Sequence, residues 1–260
     1  MRRSQIISVL AVGLYLGLGA TAFAKPHHPP PPPPPPPPAW TWTGFYTGLN
    51  LGYGWGSSNV NATFIDSGTG AVLNTAGTTV HPAGILGGGQ VGYNWQSGNW
   101  VTGLEADIQG TGQRGSGTIF CPAGVCAVLP VTASITEKLD WFGTVRGRLG
   151  WTVTPETMVY ATGGLAYGEL NDSGSITNGV ITDGFSFSKT SLGWTAGGGV
   201  EGHLTGNWTW KVEYLFLTLD EPSGTALTTI PSGRVGTTNT IFDPIFTDNI
   251  VRAGLNYKWQ

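Results

Sequence analysis

The segment GFYTGLNLGYGWG, residues 44–56, alternates between two kinds of side chain with a period of two. Phe45, Thr47, Leu49, Leu51, Tyr53 and Trp55 fall on one side, and Tyr46, Gly48, Asn50, Gly52, Gly54 and Gly56 on the other. Successive side chains point to opposite faces in a β-strand, so this is a strand with one apolar face. The pattern returns at 84–95, 100–111, 139–151, 158–169, 193–204, 208–219 and 249–259. Each run is about eleven residues, the length a tilted strand needs to cross a bilayer. Short connections at 96–99, 152–157 and 205–207 alternate with long ones at 57–83, 112–138, 170–192 and 220–248, which are rich in Gly, Ser, Thr and Asn. The strands and this asymmetry predict an all-β fold, an eight-stranded antiparallel up-and-down transmembrane β-barrel.

A soluble barrel would turn the apolar face inward, a membrane barrel outward. The polar face is mostly Gly, Asn and Thr, and only 10% of the chain is charged, too little for a soluble surface. Aromatic residues gather at the strand ends: Trp42, Phe45, Trp95, Trp100, Trp151, Trp208 and Trp259 near the short turns, and Trp55, Trp141 and Trp194 near the long connections. Two aromatic girdles are a membrane signature. A Lys or Arg facing lipid at mid-bilayer costs roughly 2–4 kcal/mol, so the charges of the strands must point inward. The bases are Arg146, Arg148, Lys211, Arg252 and Lys258; the acids are Glu105, Asp107, Asp140, Glu201 and Glu213, with His203 on the same face. Acids and bases balance, so the lumen is expected to neutralise itself.

The N-terminus has a separate organisation. Residues 1–24 carry Arg2 and Arg3, an apolar stretch from Ile6 to Ala20 and a small-x-small site at Ala22-Phe23-Ala24, which reads as a cleaved secretory signal peptide. Residues 25–43 form a proline-rich segment, expected in the periplasm, with prolines running from Pro29 to Pro38. That run makes a polyproline II rod about 31 Å long at about 3.1 Å per residue, read as a stiff spacer in preference to a ligand for peptidoglycan or a proline-binding protein. His27 and His28 are adjacent but have no companions for a metal site. The barrel domain then occupies 44–260. A net charge of −3 gives no reason to expect nucleic acid as a partner.

GNWVTGLE (98–105) and GNWTWKVE (206–213) each open a strand after a short turn, a hint of one hairpin type used twice. The segments WTGFYTGLNLGYGWG, WFGTVRGRLGW, VYATGGLAYG, GWTAGGGVEGHLTGNWTWKVEYLF and NIVRAGLNYKW resemble the small eight-stranded outer-membrane β-barrel proteins of alphaproteobacteria, the porin-family or outer-membrane-protein-A-like barrels. The resemblance covers about 44–259. It implies an outer-membrane location, contact with outer-membrane lipid and insertion by the barrel-assembly machinery. Such barrels end on an aromatic residue, whereas this chain ends on Gln260, one past Trp259.

Eight strands leave an interior just wide enough for side chains. The expected function is therefore structural and surface-related, with a lumen filled by paired charges. Passive diffusion of small solutes and adhesion through long extracellular loops are the alternatives. Glu201, His203 and Glu213 share a face, yet no serine stands out as a nucleophile, so no enzymatic activity is expected. No cofactor or metal is expected either. Cys121 and Cys126 in CPAGVC, outside the cytoplasm, read as a local disulfide. GGGQVG lacks the strand–loop–helix context of a phosphate loop.

Overall fold

The computed structural model describes residues 40–66, 69–127, 129–180, 182–220, 236–242 and 245–259, with backbone alone at 65–66 and 236–242. The signal peptide, the proline run, His27, His28 and Gln260 lie outside the described residues. Ten strands follow one another: β1 (Gly44–Asp66), β2 (Val72–Val80), β3 (Ala83–Ser97), β4 (Trp100–Cys121), β5 (Val131–Thr154), β6 (Thr157–Thr177), β7 (Thr182–Thr205), β8 (Trp208–Asp220), β9 (Gly236–Phe242) and β10 (Ile245–Lys258). Eight of them, β1, β3, β4, β5, β6, β7, β8 and β10, pair antiparallel in that order around a ring. The ring closes where β10 returns to β1, from Tyr46 opposite Lys258 to Ser57 opposite Thr247. Closure leaves no unpaired edge to meet lipid.

The short turns at one end follow from local chemistry. Gly98 and Gly206 adopt φ of 59° and 56°, the left-handed region that a tight turn requires and that glycine enters without strain. At the other end the described parts of the long connections are largely β-sheet, a departure from their reading as loops. β4, β5, β6 and β7 run 22, 24, 21 and 24 residues. A strand of that length spans about 80 Å at about 3.3 Å per residue, far more than an apolar band of about 25 Å needs even when tilted. The alternation continues in a quieter form: Val131, Ala133 and Ile135 point inward between Thr132, Ser134 and Thr136. They meet Val60, Ala62, Phe64, Val80, Ile119 and Ile176 in a second core beyond the membrane band. The outer half of β1 is flanked by β2 and β9 rather than by barrel strands. Cys121 and Cys126 form a disulfide that belongs to this core.

The outward face is apolar as predicted. Leu49, Leu51, Leu104, Ile108, Leu149, Leu165 and Leu255 are exposed, and so are Trp55, Trp95, Trp100, Trp151, Trp194, Trp208 and Trp259. Trp100 and Trp151 sit opposite each other, with ring centroids 4.8 Å apart. Trp141 is half-buried, its indole N–H donating to Glu169 at 2.7 Å. Trp42 departs from the girdle reading: it is buried at the short-turn mouth.

Asp140 also departs from expectation. It is exposed on the outside and accepts a hydrogen bond from the Asn171 amide at 2.6 Å. The pairing of β5 with β6 slips between Leu139 and Trp141, and that of β4 with β5 slips between Gly110 and Gln113 at the same height. A β-bulge adds one residue and reverses the alternation beyond it. Leu139 therefore faces inward and Asp140 outward, the opposite of a regular period.

Two predictions follow from this architecture. Leu49 lies opposite Leu255 near the middle of the apolar band, so Leu49→Arg is expected to destabilise the barrel in lipid by about 2–4 kcal/mol. Urea unfolding in vesicles followed by tryptophan fluorescence measures this, and an unchanged midpoint would contradict the outward orientation. Beyond the band, Asp172 sits opposite Glu137, and burial pushes its carboxyl up to about 6. A raised acid pKa favours the neutral folded form, so stability is lost as pH rises from about 4 through about 6. Asp172→Asn should then stabilise the protein by up to about 3 kcal/mol at pH 8 and by almost nothing at pH 4, checked by unfolding at both values.

Candidate functional site

The alternation that sends Leu49 and Trp55 outward sends Tyr46, Asn50, Glu105, Arg146, Glu213 and Arg252 into the lumen, where all are buried. The side chains form layers along the barrel axis. At the short-turn mouth, Trp40 and Trp42 pack with Val101, Met158 and Tyr160. The Trp42 backbone N–H donates to Gln96 at 2.8 Å. The Lys258 ammonium donates to the Thr41 carbonyl and lies 4.9 Å from the Trp40 ring centroid. His203 also stacks on Trp40, centroids 4.1 Å apart, with its Nε2 2.9 Å from the Gly206 carbonyl. Lys258 and His203, both expected in the lumen network, thus hold the entering chain at the rim instead.

Above the rim lies the charge layer. Arg146 donates to Glu105, to Asp107 at 2.9 Å and to Glu213 at 3.1 Å. Arg252 reaches Glu213 at 2.7 Å and Asp107 at 3.0 Å. Arg148 donates to Glu201 at 2.6 Å, and the Lys211 ammonium donates to Glu105 at 3.0 Å. Glu105 faces Arg146 and Glu213 faces Arg252 directly across neighbouring strands, the pairing that stabilises a sheet when charges are opposite. Lys211 crosses the lumen to Glu105 although Glu201 is its register partner. The structure brings together Glu105, Asp107, Glu201 and Glu213 with Arg146, Arg148, Lys211 and Arg252, four acids with four bases. Asp140 and Lys258 are absent from the group, one of each sign, so the balance survives.

Neutral side chains complete the layer. The Tyr46 hydroxyl donates to Glu105 and accepts from Arg148, both at 2.7 Å. Tyr160 donates to Glu213 at 2.9 Å, Thr144 to Asp107 at 2.8 Å, and Thr209 to Glu201 at 2.7 Å. Asn256 donates to Glu201 at 2.8 Å and accepts from Gln90 at 2.7 Å. The Arg148 guanidinium lies 4.0 Å from the Tyr160 ring centroid, a cation–π contact. These residues occupy the inward phase of their strands, yet sequence reasoning limited to charged groups passes over them.

Beyond the charges the lumen turns mainly apolar. Leu86, Leu139, Phe142, Ala166, Leu170, Leu215, Leu217, Leu219, Phe246 and Ile250 form one buried cluster there. Three polar side chains are buried at the same height: Gln109, Gln113 and Asp248, with the Gln113 amide donating to the Asp248 carboxylate at 2.7 Å. The signal for this layer was available: Leu215, Leu217 and Leu219 are in phase with Lys211 and Glu213, and Phe142 is in phase with Arg146 and Arg148. A water file entering from the short-turn end would meet the tryptophan rim, then the salt-bridged layer, then a mainly apolar layer. Glu201, bonded to Arg148, Thr209 and Asn256, is held in the network, while His203 is held against Trp40. The pair that a sequence reading could take for an acid and a base is divided between two layers.

Removing one member of a buried ion network leaves its partners uncompensated at a cost of about 3–5 kcal/mol. Arg146→Met, which strips Glu105, Asp107 and Glu213 of a shared cation, should destabilise the barrel by that amount in urea unfolding. A loss below about 1 kcal/mol would mean that the network does not act as a unit.

Comparison with known proteins places the chain. The family model described as outer membrane protein beta-barrel domain matches residues 10–258. The 31 kDa outer-membrane immunogenic protein of Brucella melitensis is 36% identical over 222 residues, 83% of this chain and 83% of that protein. The 22 kDa outer membrane protein of Rhizobium leguminosarum bv. viciae is 36% identical over 131 residues, 50% of this chain and 51% of that protein. Among solved structures, Neisserial surface protein A is 13% identical, with 84% of this chain and 98% of that chain covered and a TM-score of 0.37. On the family match and a relative matched over most of both chains, this chain belongs to the outer membrane protein beta-barrel domain family and is an outer-membrane protein.

Proposed function

We propose that this protein is a closed, non-conducting, non-enzymatic barrel that holds a rigid β-sheet extension on the outside of the outer membrane. One observation carries the reading: three seals follow one another in a lumen only as wide as its own side chains. A diffusion pore needs continuous water, which a salt-bridged layer and a mainly apolar layer of buried side chains oppose. The chain enters at Gly44 and leaves at Lys258 at the short-turn end. That end faces the periplasm in this reading, where the proline-rich segment acts as a spacer. The strands beyond Trp55 and Trp141 then stand outside the cell. A relative named as an outer-membrane immunogenic protein is in keeping with that display.

Planar-bilayer recording with the purified, refolded protein tests the closed lumen. The expected trace has no reproducible unitary steps across ±150 mV, about the range such membranes tolerate; stable openings of uniform size would overturn the proposal. Biotinylation of a cysteine placed at Val180, exposed at the tip between β6 and β7, in intact cells tests the orientation separately. Labelling by a membrane-impermeant reagent is expected, and labelling only after lysis would reverse the assignment of the two ends.

A further inference from the structure

The cations are distributed unevenly. Among the described residues, Arg146, Arg148, Lys211 and Arg252 serve the lumen and Lys258 the mouth, which leaves Arg114, Lys138 and Lys189 outside. Two of these three, Arg114 on β4 and Lys138 on β5, sit directly opposite each other in the sheet. Like charges in that position repel and destabilise the pair. Among the described residues neither forms an ion pair, and the nearby outward carboxylates are engaged elsewhere. Asp140 accepts from Asn171, and Glu169 accepts from Trp141 and Ser188. The two cations are thus held side by side without an ion pair, while the nearby carboxylates are hydrogen-bonded to other groups.

The surroundings suit an anion. Arg114 and Lys138 line a groove of about 780 Å³ together with His81 and the hydroxyl residues Ser116, Thr136 and Ser173. A guanidinium, an ammonium and several hydroxyls match the oxygen-rich, multiply charged phosphate group, the guanidinium by two parallel N–H bonds. The position is equally specific. Lys138 lies three residues beyond the girdle residue Trp141, and because the bulge takes up one of them the advance is two residues on β6, from Glu169 to Asn171. That is about 7 Å along the strand and, at a tilt near 45°, about 5 Å along the membrane normal. That height falls in the polar headgroup layer, about 5–8 Å thick, that borders the hydrocarbon.

We propose that the Arg114–Lys138 groove is a binding site for the phosphate of a phosphorylated saccharide lipid in the outer leaflet. The inference rests on the orientation given under Proposed function for its cellular meaning, although the binding itself is measurable without it. Arg114 takes the phosphate oxygens, Lys138 adds charge, and Ser116, Thr136 and Ser173 face the sugar hydroxyls. The site fastens the extension to the leaflet from which it rises.

The test uses the refolded full barrel in detergent, with three probes: a bisphosphorylated diglucosamine lipid, the same lipid dephosphorylated, and inorganic phosphate. Native mass spectrometry reads the fraction of protein carrying each. The wild type should hold the phosphorylated lipid at least tenfold more tightly than the dephosphorylated one, and Arg114→Gln/Lys138→Gln should lose about the same factor. Lys189→Gln should change binding less than twofold. Equal binding of the two lipids by the wild type would overturn the proposal without recourse to any variant. So would an unchanged double variant that still shows heat-modifiable migration, or a loss at Lys189 as large as at the pair. Displacement of the lipid by micromolar inorganic phosphate would instead mark a free-anion site and overturn the lipid assignment. Surface biotinylation at Val180 reads the orientation independently, so the two ideas fail separately.

Discussion

Closure of the sheet between β1 and β10 is the constraint from which the other features descend. In hydrocarbon a backbone amide without a partner costs several kcal/mol, so a strand can span the bilayer only inside a ring that has no edge. Eight strands make the smallest common ring of this kind, and its interior admits side chains and little else. Once the outer face is committed to lipid, every charge on the spanning segments is forced into that interior. The pairing of Gly48 with Asn256 shows how narrow it is. A Cβ at Gly48 would sit 2.1 Å from the Asn256 side-chain oxygen and 2.5 Å from the Leu255 carbonyl.

A crowded lumen makes charge balance a condition of folding rather than an ornament. An ion removed from water loses solvation that only well-placed partners restore, and a single unpaired ion is far more costly than a missing pair. The network meets this by sharing: Glu105 serves Arg146, Lys211 and Tyr46, while Glu213 serves Arg146, Arg252 and Tyr160. Each carboxylate is therefore fixed from several strands at once, which also pins the register of those strands. The apolar septum above it has a different role. It removes water from one side of the ionic layer and so strengthens those attractions.

The membrane-facing half of this design was legible in the sequence because lipid enforces a strict alternation over whole strands. Leu49, Leu51, Tyr53 and Trp55 could be sorted from Asn50 and Gly52 by period alone, and the eight lumen ions followed from the cost of exposing them to acyl chains. Asp140 and Leu139 were misplaced because paired bulges in β4 and β5 reverse the phase, and a bulge is decided by pairing between strands rather than by local residue type. Lys258 and His203 had the right phase but lie where the lumen opens, and a strand pattern carries no information about the tryptophans of a preceding segment that close the mouth. In the sequence the extension has the composition of loops, because Thr, Ser and Gly outnumber large apolar residues there. Beyond the bilayer small residues such as Ala62 and Ala133 suffice for a core, and no lipid demands a contrasting outer face.

That difference bears on how the exposed part of the protein works. Long loops would offer a partner a flexible surface and lose conformational entropy on binding. Paired strands have already lost it. The outer halves of β4, β5, β6 and β7 hold their alternate side chains at fixed spacing, the disulfide and the core around Ile135 and Ile176 brace them, and β2 and β9 cover the sides of β1. Recognition by such a surface depends on rows of side chains at strand spacing, such as Arg114 beside Lys138 or Ser116 beside Thr136. A sealed lumen suits this arrangement, since a barrel filled with locked ion pairs makes a stiff base for the sheet above it. On the proposed reading the polar interior serves as a foundation rather than a passage, and the chemistry offered to partners lies on the outer rows of the extension.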